Sequence, residues 1–280
     1  MNKKLRILKI AFVAVLTMSA LLAAGCSSPP EIPESIPSSP PDRDLPDRSL
    51  EALRHRVLDN AQKFHTLAAS VDVVIQSPLI QGNRKKVTME GTLYMQKPKK
   101  VKLSLYGGGK LYVNLVGNGQ AYRVNMPLFG NTQYSGEYGD TIRWRPDRMH
   151  FMPDDLADIL DLNDLFTGKT QVLRTYKRPP EWQIDSLLLK GEPSPSLVLA
   201  HSLRIERRTQ HLIAFTKFAD DSTVRMKSWF QNIQLIEAGN QTVRVPGLIY
   251  MWYPIDGTTI AIRLSDISLN TKIKPERFRL

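Results

Sequence analysis

A chain of 280 residues is long enough to bury a sizeable core, but with one cysteine it builds neither an internal disulfide nor a cysteine metal site. Lys and Arg outnumber Asp and Glu by 38 to 27, a formal charge of +11. The positive charge is spread in short clusters, Arg84-Lys85-Lys86 and Lys97-Pro98-Lys99-Lys100 the densest, which read as hairpin ends kept soluble by charge or as contacts to anionic lipid headgroups or an acidic partner, and not as a nucleic-acid groove.

Residues 1–25 read as a lipoprotein signal peptide. Lys3, Lys4, Arg6 and Lys9 form a positive start, and Ile10 to Leu22 form an apolar stretch too short to span a bilayer. No acidic residue occurs before Glu31. Leu21-Leu22-Ala23-Ala24-Gly25-Cys26 follows as a cleavage and lipidation site: small residues let an extended backbone enter a protease, and Cys26 becomes the acylated N-terminus. Removing the four basic residues of the signal leaves 34 Lys and Arg against 27 acids, or +7. Two or more acyl chains hold a protein stably on a membrane, whereas one gives reversible attachment. Residues 26–48 form a linker, with Pro29, Pro30, Pro33, Pro37, Pro40, Pro41 and Pro46 among serines and acids. Such a composition buries too little apolar surface to order itself, and acts as a spacer.

Residues 49–280 are expected to make one domain. Ser49 caps a helix whose apolar positions Leu50, Leu53, Val57, Ala61 and Phe64 recur at steps of three and four. From Ala69 the period changes to two. Val71, Val73 and Ile75 make one strand, Val87 to Met95 a second and Val101 to Leu105 a third. Leu111 to Leu115 and Ala121 to Val124 follow, with Asn118-Gly119 as the turn between them. Met126 to Asp147 reads as a long loop with a short strand around Thr141 to Trp144. Pro153-Asp154-Asp155 opens a second helix with acids at its positive end. A second series of strands then runs over Trp182 to Leu189, Leu203 to Arg207, Leu212 to Phe218, Val224 to Ile236, Leu248 to Tyr253, Thr259 to Leu264 and Ile267 to Ile273. Ten or eleven strands and two helices predict a mainly β (α+β) fold, a large curved antiparallel sheet with helices covering its concave face.

The chemistry-bearing residues give no catalytic constellation. His55, His65, His150, His201 and His211 are scattered, and no H-x-x-H pair, P-loop or nucleophile elbow occurs. Asp154-Asp155 and Asp220-Asp221 read as a helix start and a hairpin turn, because neighbouring side chains diverge on either element. No enzyme, metal or cofactor is expected. Side chains assigned to the inward sheet face, and so to a ligand cavity, are Val73, Met89, Leu93, Met95, Leu103, Leu105, Val113, Leu115, Met226, Phe230 and Ile262. Alternation alone does not separate a filled core from a cavity wall.

The order of these segments, with particular residues, resembles the LolA/LolB-like proteins of lipoprotein sorting. Gly91-Thr92-Leu93-Tyr94-Met95-Gln96-Lys97-Pro98 is similar to the family's strand end, Asn118-Gly119 to its Asp/Asn-Gly turn, and Pro153-Asp154-Asp155-Leu156 to its central helix start. Ile267 to Asn270 with Pro275 to Phe278 is similar to its closing strand. The resemblance implies an incomplete barrel enclosing an apolar cavity for acyl chains, with no chemistry performed. A lipidated Cys26 fits the membrane-bound acceptor, and Ser27 after it is similar to enterobacterial lipoproteins released to the outer membrane. The turn Tyr106-Gly107-Gly108-Gly109-Lys110 lacks the leucine tip of the acceptor, which favours another apolar ligand or a scaffolding role. The expected partners are therefore a membrane, an apolar ligand or lipoprotein acyl chain, and an envelope protein. The alternative to a carrier is a protein-interaction or sensor module on the same fold.

Overall fold

The computed structural model describes residues 48–80, 86–127, 132–138, 151–177, 180–190 and 196–280. The signal peptide, Cys26, the proline-rich linker and the expected strand at Thr141 to Trp144 lie outside the described residues. Helix α1 spans Leu50–Gln62. Six strands follow: β1 (Thr66–Gln76), β2 (Lys86–Gln96), β3 (Lys100–Gly107), β4 (Lys110–Asn118), β5 (Ala121–Met126) and β6 (Thr132–Glu137). Helix α2 (Pro153–Leu160) leads into a second series, β7 (Thr170–Lys177), β8 (Pro180–Lys190), β9 (Ser196–Glu206) and β10 (Leu212–Phe218). The last strands are β11 (Val224–Ala238), β12 (Gln241–Tyr253) and β13 (Thr258–Leu269).

All thirteen strands form one sheet in the order β6-β5-β4-β3-β2-β1-β13-β12-β11-β10-β9-β8-β7. Each meander runs between sequence neighbours, and β13 returns to pair antiparallel with β1, Val73 opposite Ile262. The two meanders are therefore joined at the middle of the sheet, whose described edges are β6 and β7. Because α2 lies in the chain between those two edges, the connection carries it across the concave face. Register shifts at Ala68/Ser70, Lys217/Phe218 and Ser186/Leu187 add local twist where the sheet has to curve.

The local chemistry of the motifs explains the pairing. A Cβ at Gly91 would lie 1.9 Å from the Ser104 carbonyl oxygen, so β2 and β3 approach closely only because that position has no side chain. At the β4–β5 turn, Asn118 Oδ1 accepts from the amides of Gln120 and Ala121 at 2.9 and 2.8 Å, and Gly119 takes φ +95°. Asn270, at φ 55°, ties the end of β13 to the link between α1 and β1. Its Oδ1 accepts from the His65 amide at 2.7 Å, and its Nδ2 donates to the Lys63 carbonyl at 3.1 Å.

The strand count exceeds the ten or eleven expected from periodicity. β6 lies inside the segment read as a loop, and β7 precedes the first strand expected after α2. Both are edge strands with one partner each, and half-paired strands need no clean alternation. β12 begins at Gln241, seven residues before the expected Leu248. Pro246 lies opposite Ile233 of β11, and β13 pairs with β12 only from Leu248 onward, so the strand is paired on one side only at the proline.

Candidate functional site: an apolar cleft beneath the first helix

Helix α1 starts at Ser49, whose Oγ accepts from the Ala52 amide at 3.2 Å. Its apolar stripe, Leu53, Val57 and Ala61, is buried, and Phe64 continues it. Between this stripe and the sheet lies a narrow slot of about 90 Å³. Ile159, Leu160 and Leu162, at and just after the end of α2, line it together with Ile205 and Leu212 of β9 and β10 and Phe230, Ile233, Val245 and Pro246 of β11 and β12. Arg56, Asn60, Gln210, His211 and Arg244 stand at its polar margin. The slot opens into a vestibule of about 430 Å³ lined by Arg48, Ala52, Leu53, His55, Arg56, Asp59, Gln210 and Arg244.

A few polar contacts hold α1 over the slot. Asn60 bonds both main-chain groups of Arg244, and Arg56 donates to Gln210 Oε1. Lys97 donates to the Ala61 carbonyl, one of the last-turn acceptors a helix leaves open. Its ammonium lies 3.8 Å from the Phe64 ring centroid and 3.6 Å from Asp161. Burial lowers its proton affinity against the opposing pull of Asp161. The cluster Lys97-Pro98-Lys99-Lys100, read from sequence as hairpin-end charge, thus includes one lysine that is a buried strut.

The residues assigned to the cavity from sequence are all buried: Val73, Met89, Leu93, Met95, Leu103, Leu105, Val113, Leu115, Met226, Phe230 and Ile262. They belong to one hydrophobic core together with Phe151, Leu156, Ala157 and Ile159. Of that set, Phe230 alone is shared with the slot wall. Helix α2 occupies the concave face beside the others. The slot residues not anticipated from sequence lie on α1, at the end of α2 and on strands β9 to β12. For those on α1 the amphipathic stripe was the signal, and the rest had none, since no local pattern reveals what a helix faces.

A second constellation pins α2. Lys217 on β10 pairs with three carboxylates, Asp158 at 2.6 Å, Asp154 at 2.9 Å and Asp155 at 3.1 Å. Arg225 lies 3.5 Å from both Asp154 and Asp155, and the Tyr253 hydroxyl donates to Asp155 at 3.1 Å. The register skips Arg225, with Lys217 opposite Met226 and Phe218 opposite Val224, so a bulge turns its side chain inward. Burial opposes charge on Lys217, but Asp158, Asp154 and Asp155 hold its proton affinity above the ordinary value. Burial pushes the Asp155 carboxyl up against the pull of Arg225 and Lys217. Burial, with the Asp155 charge, keeps the Tyr253 phenol protonated as a donor. The acids at the start of α2 therefore do more than meet the helix dipole: they fasten the plug to the opposite wall.

An unclosed antiparallel sheet around a helical plug, with an apolar cleft at the margin of that plug, is the LolA-like fold. No protein-family model matches the sequence, and no curated protein matches it. Among solved structures, the chain is similar to a LolA superfamily protein from Nitrosomonas europaea, with TM-score 0.52 and 11% identity over 81% of this chain and 97% of that one. It is also similar to a DUF1329 family protein from Desulfovibrio piger, with TM-score 0.54 and 11% identity over 82% and 97% of the two chains. At this identity the likeness is one of fold.

Proposed function

We propose that this protein is an envelope lipoprotein, tethered through acylated Cys26, that binds an acyl chain or similar apolar ligand without covalent chemistry. Its place would be the periplasmic face of the outer membrane. The observation that carries the reading is the slot between α1 and the sheet, walled by Leu53, Val57, Phe64, Phe230 and Val245. The binding force is the removal of acyl surface from water, about 25 cal/mol per Å². At about 90 Å³ the slot takes only the start of a chain, so loading requires α1 to move outward. The helix suits that movement: it is joined to the sheet by a handful of polar contacts and one apolar stripe. Handing the ligand on, as in lipoprotein or lipid transfer to the outer membrane, would use the same opening.

Mass spectrometry of lipid carried through purification of the full-length protein tests this reading. An acyl lipid in stoichiometric amount supports it. A lipid-free protein that recovers one specific envelope protein supports instead an interaction or sensor module on the same fold. The anchor has its own test. Cys26→Ala should accumulate as an uncleaved precursor with no incorporated acyl label, whereas normal processing and labelling would overturn the lipidation site.

A further inference from the structure

We propose that the cleft selects an anionic amphiphile, an acyl chain whose carboxylate or phosphate head is held between Arg56 and Arg244 while the chain enters the slot. This rests on the reading of the slot as an acyl site, and adds the chemistry of the head group. Arg56, Gln210, Leu53 and Arg244 line both the slot and the vestibule, so cationic and apolar surface meet at one threshold. Arg48 stands in the same vestibule. After burial, the charges of Arg244 and Arg48 are the main causes that lower the proton affinity of Arg56. The same Arg244 and Arg56 charges, after burial, lower that of His211.

Two carboxylates act on this cluster, and both are engaged elsewhere. Asp59 pairs with Lys63 at 2.9 Å. Glu206 accepts from the Thr209 amide at 2.9 Å and from the Thr209 hydroxyl. Among the described residues no carboxylate forms an ion pair with Arg56 or Arg244. Like charges gathered at a partly desolvated site repel one another, and a bound anion relieves that repulsion. Arginine suits the task, because its planar fork matches both carboxylate and phosphate. Gln210 accepts from Arg56 and fixes that fork at the threshold. A small free anion would satisfy the arginines and leave the slot empty, whereas an amphiphile satisfies both surfaces at once.

The test uses full-length protein and three probes of defined chemistry: oleate, oleyl alcohol of the same chain length, and inorganic phosphate. Oleate should bind at least about tenfold tighter than oleyl alcohol and lose that advantage as salt rises. The double variant Arg56→Gln/Arg244→Gln should lose most of the preference for oleate over oleyl alcohol, with continued oleyl alcohol binding reporting that the slot is intact. The charge-conserving Arg244→Lys should retain most of the oleate preference. Equal affinity for oleate and oleyl alcohol, insensitive to salt, would overturn the head-group inference while preserving the acyl site. Phosphate binding that is lost in the double variant yet does not compete with oleate would overturn it as well, by assigning the arginines to a free anion. Failure of both oleyl probes would instead remove the acyl reading itself.

Discussion

Asn60 on α1 grips the main chain of Arg244 on β12 from both sides of its amide: Nδ2 donates to the Arg244 carbonyl at 2.9 Å, and Oδ1 accepts from the Arg244 amide at 2.8 Å. β13 leaves this part of β12 unpaired, since their register begins at Leu248 opposite Arg263. A side-chain amide on the helix thus does for the open strand edge what a neighbouring strand would do. It is one of the contacts that hold α1 over the slot.

Asn60→Ala should loosen α1 without removing any apolar wall. Two hydrogen bonds contributing about 1 kcal/mol each set the scale, so urea unfolding should show a loss of roughly 1–2 kcal/mol. Stopped-flow binding of a fluorescent fatty acid should become faster at the same time. A destabilised variant whose association rate is unchanged would show that α1 does not gate the slot.

The network around Lys217 predicts a larger effect. Lys217→Met leaves Asp154, Asp155 and Asp158 clustered with Arg225 as their remaining cation, and breaking a buried pair by removing one partner costs about 3–5 kcal/mol. Tyr253→Phe removes one hydrogen bond to Asp155 and should cost nearer ~1 kcal/mol. Chemical denaturation of the two variants ranks them, and equal small losses would mean that apolar packing alone holds α2.

Gly91 has no room for a side chain against Ser104. Gly91→Ala should separate β2 from β3 locally and destabilise the domain by about 2 kcal/mol or more. Gly108→Ala is the comparison, since a Cβ there meets nothing within 4 Å and only its φ of +54° is strained. Thermal unfolding should place the first variant well below the second; the reverse order would contradict the close strand approach.

His201, stacked on Phe215 at 5.5 Å between centroids, is pushed down to about 4 by burial, partly countered by Asp158. Lys169, Lys217 and Lys99 act in the same lowering direction. Its folded proton affinity lies below the ordinary value near 6.5, so between pH 6.5 and 4 the unfolded chain binds the extra proton. Stability should therefore fall on acidification through that window, by on the order of 2 kcal/mol for this residue after allowing for its partial exposure. His201→Phe should lose less stability than the parent chain between pH 7 and 4.5. An identical pH profile in both would show that other groups dominate.

Much of the architecture follows from sequence alone, because its signals are local. Alternation exposed most strands, and the stripe from Leu53 to Phe64 announced an amphipathic helix. Gly91, Asn118-Gly119 and Asn270 mark places where backbone geometry admits few side chains, and each is used in the structure for that reason. The inward set from Val73 to Ile262 was legible as buried, since period two fixes a face. That helices cover that face also followed from the order of elements; which side chains they set against it did not, because a contact between a helix and a distant strand is recorded in no short window. Asp155 lies more than sixty residues before Lys217 and Arg225, and the three look like surface charges singly; only the bulge at Arg225 and the passage of α2 bring them together. The cleft is decided in the same way. Its walls come from α1, the end of α2 and the β9–β12 strands, and its cationic threshold exists because the β11–β12 hairpin outruns β13 and presents Arg244 to the helix.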